Sequence, residues 1–142
     1  MSKRIKVRWA GRMSFIATDD DNHSVLMDTS KNIGGDNAAF KASDLLMVSL
    51  GGCTAVDVIS ILKKQKQDIR EFRIEVEGTN AKDYPKYYTE IKLNFILRGR
   101  NINPEFVERA IDLSHHKYCS VGQSLEPKVK IITNFTIEEV ND

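Results

Sequence analysis

The sequence predicts an α+β fold, and three observations carry that prediction. Short runs that alternate apolar and polar residues occur in series, both before and after one long helical run. Hairpins in series imply mostly antiparallel sheet, not a doubly wound parallel one. The stretch from Ser43 to Gln67, SDLLMVSLGGCTAVDVISILKKQKQ, is apolar on nearly every face between Leu45 and Leu62, which marks a buried helix. A second helical stripe starts at Asn103-Pro104-Glu105: a capping residue, proline at the first helical position, then an acid.

Taken in order, Ile5, Val7 and Trp9 alternate with Lys6 and Arg8 as a half-buried strand. Gly11-Arg12 breaks it, and Phe15 with Ala17 forms a second strand. Asp19-Asp20-Asp21-Asn22 is a turn. It lacks the glycine and distal glutamate of a calcium loop. Val25-Leu26-Met27 closes a small meander. Thr29 to Lys41 is an irregular linker; its Gly34-Gly35 is followed by no Lys-Ser/Thr, so a phosphate cradle is not expected.

The central helix has Ser43 as its cap, Asp44 in the first turn and Lys63, Lys64 and Lys66 at the end, each where the helix dipole favours it. Gly51-Gly52 costs such a helix roughly 1 kcal/mol per glycine against alanine. A close neighbour beside Cys53 is the expected reason. Next come strands through Phe72, Ile74 and Val76 and through Thr89 to Leu97, a hairpin joined through Gly78 to Pro85. Phe106, Val107, Ala110, Ile111 and Ser114 share one helical face, with His115-His116-Lys117 near its end. Cys119 to Gly122 is a short segment, and Val129 to Ile137 is the last strand. A helix apolar all round needs more cover than one small sheet gives, so a homodimer is expected.

The 142 residues fit a single domain, 1–142, able to bury about two-thirds of its unfolded surface. A net charge of +1 leaves no footprint for nucleic acid or a membrane surface. No run is expected to span a membrane, and Met1-Ser2-Lys3-Arg4 leads into a strand pattern, so a cytoplasmic location is expected. In a reducing compartment, two cysteines point to burial or redox chemistry more than to a permanent staple.

Cys53 is the first candidate. As a buried residue it would act as a small hydrophobe. As a reactive thiol it must ionise, which burial opposes. It lies too far along its helix for the dipole to help, and an unpaired Asp57 one turn later would oppose the thiolate. A cation must come from elsewhere. Arg12 is the candidate, with Asp44 or Asp57 holding its guanidinium in a two-pronged pair. Cys119 is the second candidate: a helix N-terminus there would lower its pKa, so local reasoning makes it the more acidic thiol. His116, Cys119 and Cys53 fall one ligand short of a structural zinc site.

The pattern Ser43-Asp44-Leu45-Leu46, Leu50-Gly51-Gly52-Cys53-Thr54, Asp57-Val58 and, much later, Lys117-Tyr118-Cys119-Ser120-Val121 resembles the OsmC/Ohr family, in its OsmC-like (YhfA-like) branch. The likeness spans nearly the whole chain. It implies an intertwined homodimer, with antiparallel sheets around two central helices and active sites at the subunit interface. It also implies thiol-dependent reduction of organic hydroperoxides, protecting against oxidative stress. Cys53 would attack the peroxide, Cys119 would resolve it as an intramolecular disulfide, and an external dithiol would restore the pair. An arginine of the N-terminal sheet, matched approximately by Arg12, would keep the first thiol ionised. The acid that holds it stands in the peroxidases one residue before Asp44, where this chain has Ser43, and the usual proline before the helix is Ala42. No cofactor or metal is required. Met47, Val56 and Phe106 would suit a bulky alkyl peroxide. The rival expectation is a non-catalytic stress protein binding a small apolar or thiol ligand at the dimer interface.

Overall fold

The computed structural model describes residues 2–141 and divides into two compact units, Met1–Leu46 and Met47–Asp142. The first holds β1 (Lys6–Trp9), β2 (Phe15–Thr18) and β3 (Ser24–Met27). They form the expected antiparallel meander, with Trp9 opposite Phe15 and Phe15 opposite Met27. The acidic turn between β2 and β3 supplies its own acceptor. Asp19 Oδ1 takes the backbone N–H of Asp21 and of His23, each at 2.9 Å. The linker closes on the buried carboxylate of Asp28, which accepts from the N–H of Thr29, Asp36 and Ala38. Only glycine fits at position 35, because a Cβ there would collide with the Thr29 carbonyl. The half-buried strand expected at the start is open in the protomer: Ile5, Val7 and Trp9 are all exposed.

α1 runs from Asp44 to Lys64, directly after the expected cap. It stops in a Schellman motif. Gln67 N–H reaches Leu62 O, Lys66 N–H reaches Lys63 O, and Lys66 takes a left-handed φ of 56°. The helix is long and apolar enough to cross a membrane, with mean hydropathy 2.0 over its most apolar window. That corrects the expectation that no run reaches a span. Core helices of globular proteins have the same composition, and one face of α1 is packed here: Leu50, Val58 and Leu62 join the core of the second unit. The other face is open, with Leu46 and Val48 exposed and Val56 70% exposed.

The second unit adds β4 (Asp68–Asn80), β5 (Tyr88–Arg100), α2 (Pro104–Leu113), a π-helical turn (Ser114–Tyr118), α3 (Ser120–Leu125) and β6 (Lys130–Glu139). Asn103 caps α2 as expected, its side chain accepting from Glu105 N–H at 3.0 Å. β4 and β5 are an antiparallel hairpin, but β6 lies parallel to β5, with Phe95 opposite Phe135. The sheet, in the order β4-β5-β6, is therefore mixed and not antiparallel throughout. The reason is connectivity. A helix between two strands carries the chain back to the end where the first began, which gives parallel pairing. From Ile91 onward β5 alternates, and Ile91, Leu93, Phe95 and Leu97 face the core with Val107 and Ala110 of α2.

Candidate active site

Cys53 sits in the middle of α1 and Cys119 in the short link between the π turn and α3. Both are free thiols. The sheet and α2 bring them together, although they lie far apart in the chain: the two thiols are near enough for Cys53 to act on the Cys119 proton. Cys119 is 3% exposed, whereas Cys53 is half-buried beside the same core. Gly51 explains part of this closeness. A Cβ there would stand 3.2 Å from Val76 of β4, so α1 lies close to the sheet near Cys53. Gly52 has open space instead, with nothing within 4 Å of where its Cβ would be.

Cys119 caps α3. Its Sγ accepts from Gly122 N–H at 3.3 Å, and its own N–H donates to Ser114 O at 2.7 Å across the π turn. Local reasoning from the helix terminus lowers the Cys119 pKa, whereas in the structure the shift is upward. Burial, then the neighbouring Cys53 thiol, pushes the Cys119 thiol up to about 11, and the N–H of Gly122 lowers it by less. A six-residue helix offers a weak terminus, while a sulfur removed from water loses most of its anion's solvation. Cys119 thus holds its proton more tightly than a free thiol does.

The raised proton affinity also bears on stability. The folded chain holds the Cys119 proton up to about 11, whereas an unfolded thiol releases it near about 8.5. The stabilisation is complete below the lower value and is lost as pH rises through the higher one. Urea unfolding between about pH 8 and about pH 11 should show a steeper loss of stability in the native protein than in Cys119→Ser. Equal slopes would contradict the assignment.

Next to Cys119 lies a small cavity of ≈ 10 Å³, lined by Leu50, Thr54, Phe95, His115 and Gly122 among others; it has room for about one water. Thr54 turns its hydroxyl back onto Leu50 O and Gly51 O, at 3.1 and 3.0 Å. His115 pairs with Glu126 at 2.6 Å and His116 with Asp112 at 3.2 Å. His116 thus lies on the outer side of the π turn, while His115 lies largely buried between the cavity and Glu126. Asp57 accepts from the buried Ser114 hydroxyl at 2.8 Å, a contact with no signal in the sequence beyond a serine on the apolar face of α2. Met47 and Phe106 lie partly buried against the same core as Cys53, whereas Val56 is on the open face.

Arg12 and Asp44 belong to the first unit. Arg12 has a left-handed φ of 50° in the β1–β2 turn. Its Nε donates to Asp36 Oδ2 at 2.8 Å, and its Nη2 reaches Gly34 O at 3.4 Å. Within the first unit the carboxylate that Arg12 meets is thus Asp36 and not the expected Asp44. The Asp28-anchored linker brings Asp36 to the guanidinium, Asp57 is engaged by Ser114, and Asp44 accepts from the N–H of Lys41 at 3.3 Å, closing the start of its own helix.

Known proteins resemble this chain over nearly its whole length. Protein YhfA of Escherichia coli K12 is 34% identical over 132 residues, covering 93% of this chain and 96% of that protein. A hypothetical protein of Aquifex aeolicus superposes with a TM-score of 0.86 at 24% identity, over 99% of each chain. An organic hydroperoxide resistance protein OsmC from Legionella pneumophila superposes at 0.69 with 12% identity, over 96% of this chain and 97% of that one, a likeness of fold. The OsmC-like protein family matches residues 34–134, which include both cysteines, all the helices of the second unit, β4, β5 and the first half of β6. The chain therefore belongs to the OsmC-like protein family.

Proposed function

We propose that this protein reduces organic hydroperoxides with its two cysteines, as part of a defence against oxidative stress. The observation that carries the reading is the asymmetric thiol pair. Cys119 is 3% exposed and burial raises its proton affinity, whereas Cys53 is only half-buried, so Cys53 is the sulfur a peroxide can reach. The Cys53 thiolate takes the terminal oxygen of ROOH. The O–O bond breaks, and the alkoxide leaves as an alcohol after taking a proton from solvent. Cys53 is now a sulfenic acid. Cys119 attacks that sulfur, the S–O bond breaks, and the hydroxide leaves as water with the Cys119 proton. An external dithiol reduces the disulfide by exchange. The two thiols supply both electrons, so this cycle uses no metal, haem or flavin.

The Legionella protein is named for organic hydroperoxide resistance, and the shared fold supports carrying the activity here. Arg12 and Asp44 are proposed as the pair that favours the thiolate, with Asp44 one residue beyond the family's acid position. The open apolar face of α1 and the exposed β1 residues support a homodimer of a single 1–142 domain, and a reducing cytoplasm suits the free thiols. A second reading is a non-catalytic protein that binds a small apolar or thiol ligand. It is favoured by the Arg12 guanidinium being engaged already by Asp36.

Purified reduced protein mixed with cumene hydroperoxide and a dithiol distinguishes the two. Turnover with one alcohol formed per two thiols oxidised is expected. Consumption no faster than that of free cysteine would sink the peroxidase and leave the binding protein.

A further inference from the structure

Cys53 and Asp57 are four residues apart on α1 and so share one face of that helix. Asp57 Oδ2 accepts from Ser114 Oγ at 2.8 Å. Ser114 is 1% exposed, and its carbonyl accepts the N–H of Cys119 at 2.7 Å. The Cys119 thiol is in turn a close neighbour of the Cys53 thiol. These links close a ring: one turn of α1, a carboxylate, a buried hydroxyl, one π turn, and two sulfurs. π turns inserted in α-helices recur at functional positions. This one replaces the ordinary helical spacing at the point where the chain must carry the Cys119 backbone back over α1.

From this ring we infer that Asp57 and Ser114 are positioning residues, which set the backbone of Cys119 at disulfide distance from Cys53. The inference rests on Cys53 and Cys119 being the reacting pair. A disulfide tolerates little error, with Cβ atoms at about 3.5–4.5 Å, so a tether that holds both cysteines to one helix raises their effective concentration for each other. The tether is a hydroxyl donating to a carboxylate, the stronger class of hydrogen bond. It has one bond on each side of Ser114, through the hydroxyl to α1 and through the carbonyl to Cys119, so losing the hydroxyl frees the Cys119 segment from α1 without touching either sulfur. Asn at position 57 would still offer an oxygen to Ser114.

The test measures the Cys53–Cys119 equilibrium in glutathione redox buffers, where oxidised glutathione takes two electrons and two protons from the dithiol and leaves as two reduced molecules. No peroxide is involved. Native protein, Ser114→Ala, Asp57→Ala and Asp57→Asn are compared, with urea unfolding of each reduced variant alongside. Ser114→Ala and Asp57→Ala should lower the effective concentration of the pair by about tenfold, and Asp57→Asn should retain most of it. Equal effective concentrations in all four would overturn the tether, even if the alanine variants unfold more easily, because stability alone does not move this equilibrium. A native protein that forms no disulfide in these buffers would overturn it as well. A native protein that forms the disulfide with the expected variant order, yet does not consume hydroperoxide, would keep the tether and remove the peroxidase.

Discussion

Cys53→Ser should abolish hydroperoxide consumption, while Cys119→Ser should perform the first step and stop. The attacking sulfur has no substitute, since the cysteines number two and Cys119 is buried and protonated. Losing a nucleophile costs on the order of 10³-fold or more. In Cys119→Ser one equivalent of alcohol should form in a single burst, leaving a Cys53 sulfenic acid that a dimedone-type reagent traps. Excess peroxide would carry that species on to sulfinic acid. The reverse pattern, with burst and trapped sulfenic acid at Cys119 in Cys53→Ser, would exchange the two roles.

Phe95→Ala should have the largest effect on stability. Phe95 is fully buried at the centre of the β4–β5–β6 sheet, with its ring tilted against Phe72 at 6.3 Å, and it lines the cavity beside Cys119. Removing the ring costs the transfer free energy and leaves a void next to an existing one, about 3–5 kcal/mol together. Folded domains have only about 5–15 kcal/mol in total, so a large part of the population would unfold under mild denaturant. The urea midpoint should fall sharply and Phe95→Leu should recover part of it. A loss below about 1 kcal/mol would mean that the sheet repacks around the gap.

Many of these features are legible in the residues. The alternation from Phe72 to Val76 and from Thr89 to Leu97 marks the hairpin, and Asn103-Pro104-Glu105 marks the start of α2. The two cysteines stand out because they are the only thiols in the chain. What cannot be read there depends on contacts between distant segments. Parallel pairing of β6 follows from where the α2 connection delivers the chain, not from the strand's own pattern. The proton affinity of Cys119 is decided by burial and by Cys53; the local sequence shows only the helix terminus, which is the smaller influence. Arg12 finds Asp36 because Asp28 folds the linker back, and nothing near Arg12 in the sequence announces that. Asp57 reads as a charge that would oppose the thiolate, and its partner Ser114 lies 57 positions further along the chain.

Mass mapping of an unreduced digest, after one equivalent of cumene hydroperoxide, tests the pairing of the sulfurs most directly. A single linked peptide joining Cys53 to Cys119 within one chain is predicted, with no free thiol left. Two intact thiols, or a Cys53–Cys53 link between chains, would contradict it.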